Sequence, residues 1–148
     1  MSEADRFQIH IRGIQRDSAG EEQVIETIAE GKYAFRAGRH YIRYQDQSLG
    51  PKQCTSTVLK FNNDSLVLLR KGAVDTEQRF IPGQETCSTY RTPYGNLDLS
   101  ARTDRLSIVF DAQQGGHIEI GYDLSVNGAF QSRNTLLVEI GMIAAGQH

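Results

Sequence analysis

The sequence predicts an all-β protein, a single antiparallel β-barrel of about eight or more strands. Three observations predict it. Apolar residues recur at every second position along most of the chain, the pattern of strands with one side on a core and the other in water. Turns rich in Gly and Asn separate these runs at short intervals. Only three prolines interrupt the 148 residues, and no Pro- or Ser-rich linker divides them, so residues 1–148 read as one domain. A chain of this length buries roughly two thirds of the surface it exposes when unfolded, enough for one core.

The elements follow in order. The first strand alternates Phe7, Ile9 and Ile11 with Gln8, His10 and Arg12. The next segment admits two readings. Ser18-Ala19-Gly20-Glu21 has the form of a capping box, and Val24, Ile25, Ile28 and Ala29 fall at helical spacing before Gly31. Read as a strand, the same stretch puts Ile25, Ala29, Tyr33 and Phe35 on one face, with Gly31 as a bend. Local signals leave these two even. Ala37-Gly38 then folds Lys32–Tyr44 into a hairpin with Tyr33 and Phe35 toward the core, Lys32 and Arg36 toward water, and Arg39, Tyr41 and Arg43 on the exposed phase. Further turns are expected at Asn62-Asn63-Asp64, Lys71-Gly72, Pro82-Gly83, Tyr94-Gly95-Asn96, Gln114-Gly115-Gly116 and Asn127-Gly128. After them Leu97, Leu99 and Ala101 share a phase, as do Leu106, Ile108 and Phe110, then Ile118 through Val126, then Leu136 through Met142. Asn-Gly between the last two runs is the strongest short hairpin signal, so sequential strands are expected to pair antiparallel.

Composition narrows the function classes. Sixteen Lys and Arg against eighteen Asp and Glu give a net charge of −2. The molecule as a whole therefore has no strong attraction for nucleic acid or anionic membranes, and such a partner would have to use a local patch. The longest aliphatic run, Leu66–Leu69, is far short of the roughly 20 residues of a membrane span, and the first residues carry no apolar export segment. The expected location is the cytoplasm, with no membrane partner. Cys54 and Cys87 lack any zinc-ligand spacing and are expected as free thiols.

Enzyme signatures are missing: no G-x-S-x-G, H-E-x-x-H, phosphate-binding Gly loop or G-x-G-x-x-G occurs. The chain is thus read as non-enzymatic, with no catalytic residue, no metal ligand and no cofactor. His117 and Glu119 share a face opposite Ile118 and Ile120, but a metal site needs a third converging ligand. Asp75 and Glu77 could form an acid–base pair, yet Arg79 continues their face and makes an ion-paired strand edge the better account.

A subtler signal is polarity inside the apolar phase. Arg70 is in phase with Leu66 and Leu68, Gln78 and Thr76 with Phe80, Tyr122 with Ile120 and Leu124, and Asn134 with Leu136 and Val138, while Tyr90 shares a phase with Thr92 and Tyr94. Buried polar groups need partners, so these residues either form an internal network or face water or a guest molecule. Arg70, Gln78, Tyr90, Tyr122 and Asn134 are the candidate ligand-binding set, converging on one side of the barrel interior. Arg70 is its sharpest member, because its guanidinium cannot be neutralised.

The segment Arg70-x-Gly72-Ala73-Val74-x-x-x-Gln78-Arg79-Phe80-x-x-Gly83, with Tyr90, Tyr94-Gly95-x-Leu97-x-Leu99, Thr103 and Gly116-x-Ile118-x-Ile120-x-Tyr122-x-Leu124, resembles the YwiB-like family of small bacterial proteins of unknown function. The likeness runs from the first strand to Ile140. It implies a calycin-like barrel, the architecture of lipocalins and fatty-acid-binding proteins, and strand rather than helix across Gln23–Phe35. It implies no activity and supplies no catalytic residue. The resulting expectation is a non-enzymatic barrel that binds a small, partly apolar ligand. The alternative is an interaction module contacting RNA or a protein partner through the basic, aromatic hairpin 32–44.

Overall fold

The computed structural model describes residues 6–46, 55–72 and 75–143. They form ten strands: β1 (Arg6–Asp17), β2 (Glu22–Arg36), β3 (Arg39–Asp46), β4 (Thr55–Phe61), β5 (Leu66–Gly72), β6 (Thr76–Phe80), β7 (Glu85–Thr92), β8 (Gly95–Asp111), β9 (Gly115–Val126) and β10 (Ala129–Met142). Every ladder is antiparallel, and the sheet order is β6-β5-β4-β3-β2-β1-β10-β9-β8-β7. Chain neighbours are therefore sheet neighbours, and β1 pairs with β10, which rolls the sheet into a nearly closed up-and-down barrel. At the remaining seam one bridge joins Asp75, just before β6, to Arg91 of β7, and Thr86 Oγ1 donates to the Arg79 carbonyl. Among the described residues no helix is long and apolar enough to cross a membrane.

The two readings of residues 18–35 resolve to strand. The supposed cap is a turn: the Asp17 carboxylate accepts from the backbone N–H groups of Ala19 at 3.0 Å and Glu21 at 2.9 Å, and Gly20 takes a positive φ of 85°. β2 is then laddered on both sides, to β1 and β3. A helix there would leave both neighbours with unpaired edges, so sheet pairing overrides the local helical spacing. Gly31 is laddered to Phe7 within β2, where a Cβ would collide with Ile9 and stand 2.8 Å from Ile42 Cγ2, so the glycine is what lets two core isoleucines meet over the strand.

The interior divides along the barrel axis. One end, where β1 begins and β4 and β8 finish, is packed with rings: Phe7, Tyr33, His40, Phe61 and Phe110, with centroids 4.9 to 5.8 Å apart. Phe35, expected to face the core, touches His40 from the rim and is 58% exposed, because the barrel ends beneath it. The middle is aliphatic, with Ile9, Ile42, Leu59, Leu68, Ile118, Ile120 and Val138 buried. A bulge in β8 leaves Asp104 without an opposite residue on β9, and Arg133 grips its carboxylate through two contacts at 2.8 and 2.9 Å.

Candidate ligand-binding cavity

Toward the other end, where β1, β3, β5, β7 and β9 finish, polar residues replace the aliphatic ones in the inward phase. The pairing register explains how they meet. Thr57, Arg70 and Thr76 lie side by side on β4, β5 and β6. Thr103, Tyr122, Asn134 and Gln15 do the same on β8, β9, β10 and β1. Closure of the sheet brings these two rows across the lumen from each other, and the Tyr122 ring packs on Phe80 at 4.7 Å.

Between them lies a cavity of about 270 Å³. Its polar lining includes Arg70, Tyr90, Tyr122, Asn134, Thr55 and Gln15, and its apolar lining Ile11, Ile25 and Leu136. Four of the five residues expected to converge therefore do so. Gln78 does not line this cavity: it pairs with Leu68, one inward position deeper along β6 than Thr76, and Thr76 takes the place beside Arg70. Thr55 and Gln15 were missed. Thr55 carries a readable signal, since Thr55, Thr57, Leu59 and Phe61 alternate in one phase.

Electrostatically the site is a cation among neutral dipoles. No carboxylate of the described residues pairs with Arg70, and its buried Nε–H has no protein acceptor. Thr55 Oγ1 and Asn134 Oδ1 are likewise buried and without a protein partner. Burial raises the Tyr122 phenol above its ordinary value, and the Asn134 amide and Arg70 charge only partly offset this, so the group is a neutral hydroxyl at physiological pH. The cavity thus offers a guanidinium N–H, an amide and several hydroxyls against one apolar wall, an arrangement suited to holding one acceptor-bearing guest.

The other candidates fall elsewhere. Glu119 is engaged by Arg105 at 2.6 Å while His117 faces out, and among the described residues no three His, Cys, Asp or Glu side chains converge. Glu77 pairs with Arg79 at 3.1 Å, and Asp75 accepts from the Gly72 amide. Cys87 is a free, exposed thiol, and Cys54 lies outside the described residues.

An antiparallel ten-stranded barrel with one ring-packed end and one polar cavity defines a class of small barrel proteins. Within that class the chain belongs to the family described as a domain of unknown function, DUF1934, which matches residues 9–138. It is similar to the uncharacterised β-barrel protein YwiB of Bacillus subtilis, 28% identical over 127 residues that make up 85% of this chain and 86% of that one. The crystal structure of the ywiB protein superposes with a TM-score of 0.77, covering 93% of this chain and 92% of the other.

Proposed function

We propose that the protein is a non-enzymatic binding protein whose barrel takes up one small, partly apolar molecule, with an anionic or strongly accepting group directed at Arg70. The observation that carries this reading is the Arg70 guanidinium, which reaches a cavity with no carboxylate among its described lining residues and keeps its Nε–H buried without an acceptor. A buried N–H without an acceptor costs about 1–3 kcal/mol, so a fold that keeps one gains from a guest that supplies the missing acceptor. Size limits the guest. A volume of about 270 Å³ lies between the ~150 Å³ that admits benzene and the ~300–1,000 Å³ of drug-sized sites, so a molecule of one or two rings with a carboxylate or phosphate fits, and a long acyl chain does not. Binding is favoured over catalysis because, among the described residues, the cavity lining supplies no imidazole, carboxylate or thiol to act as base or nucleophile. We read the barrel as calycin-like, on its up-and-down strand order, and the protein as cytoplasmic, in keeping with the free Cys87 thiol.

Native mass spectrometry of the purified protein tests this, with thermal-shift screening of small aromatic and aliphatic carboxylates and phosphates. The wild type is expected to retain or bind one acidic small molecule. Arg70→Met is expected to lose it while melting at the same or a higher temperature, since Met fills the space and leaves no N–H unpaired. Unchanged retention together with unchanged stability in Arg70→Met would mean that Arg70 is merely solvated, and the reading falls.

A further inference from the structure

We infer that the outer face of β2 to β5 is a second, independent site that binds single-stranded nucleic acid along the barrel wall. The argument starts from how this protein treats charge elsewhere on the same sheet. Across β1 and β2, Arg12 lies opposite Glu26 and Arg16 opposite Glu22, and Arg6 reaches Glu30 at 2.6 Å. Opposite charges facing each other across a ladder are favourable and like charges are not, and where like charges meet on the β1 ladders, Arg6 opposite Lys32 and Arg16 opposite Arg133, the three arginines each hold a carboxylate. Across β2 and β3 the rule is reversed: Lys32 lies opposite Arg43, and Arg36 opposite Arg39. Two directly opposed like-charge pairs on adjoining strands are a structural cost that nothing in the fold requires, since a glutamate at either member would remove it.

The cations extend beyond the hairpin. Lys60 on β4 lies beside Tyr41, its ammonium 5.6 Å from the ring centroid, and Lys71 continues the face on β5. None of Lys32, Arg36, Arg39, Arg43, Lys60 and Lys71 takes part in an ion pair of the described residues. The carboxylates at the rim are occupied or turned away: Glu30 holds Arg6, Glu77 holds Arg79, and Asp64 sits in the β4–β5 turn. Between the cations runs a groove of about 380 Å³ lined by Ala34, Tyr41, Val58 and Leu69.

The net charge of −2 does not oppose this. At physiological ionic strength the Debye length is roughly 8 Å, so acids on the far wall of the barrel are screened from this face. Cations lining a groove and an aromatic ring within it, Tyr41, are the two elements that sequence-tolerant single-strand binders combine, one for phosphates and one for bases. An acidic protein surface would use the charges but not the Tyr41 ring, which is why nucleic acid is the better occupant.

Fluorescence anisotropy with a labelled oligouridylate, at low and at physiological salt, is the test. If four of the six cations engage phosphates, log K is expected to fall with log salt at a slope of about −3. Arg39→Glu with Arg43→Glu converts both like-charge pairs to opposite pairs, so the double variant is expected to fold with unchanged or raised melting temperature and to lose affinity by roughly a hundredfold or more. Tyr41→Ser is expected to cost roughly tenfold through lost stacking. No binding at low salt, equal binding by the double variant, or equal affinity for polyglutamate or phosphatidylglycerol vesicles would each overturn the inference. Arg70→Met leaves this binding intact, which separates its failure from that of the cavity.

Discussion

The two ends of the barrel are made by the same strands, and they solve the interior in opposite ways. At the ring-packed end large side chains fill the lumen, and the Tyr33 hydroxyl meets His40 Nδ1 at 2.7 Å. At the cavity end the inward positions of β4, β5, β6, β8 and β10 carry hydroxyls, an amide and a guanidinium, and polar atoms of Thr55, Thr57, Arg70, Thr76, Thr103, Ser132 and Asn134 are buried without a protein partner. A fold under selection for stability alone would extend the aliphatic layer upward. The contrast says that one end supplies the stability and the other end spends part of it on keeping a polar chamber.

The largest expected effect belongs to the packed end. Phe61 is 1% exposed and stacks edge-on with Phe110 at 5.3 Å. Phe61→Ala is expected to cost about 3–5 kcal/mol, read as a shift in the urea midpoint at constant slope. A cost under about 1 kcal/mol would show that the rings are not the anchor of the fold, and the contrast between the ends would fail.

The next effect has the opposite sign. Thr57 is 0% exposed and its hydroxyl has no protein partner. Thr57→Val exchanges that hydroxyl for a methyl of similar size, and stability is expected to rise by about 1 kcal/mol because a desolvated, unpaired group is removed. A loss of the same size would instead mean that Thr57 belongs to a satisfied network, so the polar belt would count as structure.

What the sequence disclosed follows from which properties are local. Whether a residue faces in or out is set by the alternation of its own strand, which is why Arg70, Tyr90, Tyr122 and Asn134 could be picked out as inward polar residues. How high it stands along the axis is set by the register of its neighbours, which one strand does not encode. Gln78 was assigned the right face and the wrong level for that reason. The strand identity of β2 was equally non-local, since its helical spacing is real and is overridden only by ladders to β1 and β3. The like-charge pairs of β2 and β3 are by contrast local, since the two-residue Ala37-Gly38 turn sets Arg36 opposite Arg39 and Lys32 opposite Arg43.

The smallest expected effect sharpens the comparison through pH. Burial lowers the His40 imidazole below its ordinary 6.5, and the rings of Tyr33, Phe35, Phe61 and Phe110 around it offer no carboxylate to pull it back. The unfolded chain therefore takes up a proton near pH 6.5 while the folded protein resists it until lower pH. Below that point the unfolded state binds more protons, so stability is complete above about 6.5, declines as the pH falls, and levels out below the folded value. Asp104 gives a separate window: its hydrogen bonds to Arg133, only partly opposed by burial, lower its carboxyl from 3.8, so its contribution is present above that pH and is lost further down as the pH passes through the folded value. His40→Phe keeps the ring packing and removes the titration. Its melting temperature is expected to be flatter than that of the wild type between about pH 7 and 5, with the same fall below pH 4. Identical pH profiles above pH 5 would show that the imidazole ionises as freely in the fold as out of it, and the packed end could no longer be described as closed to charge.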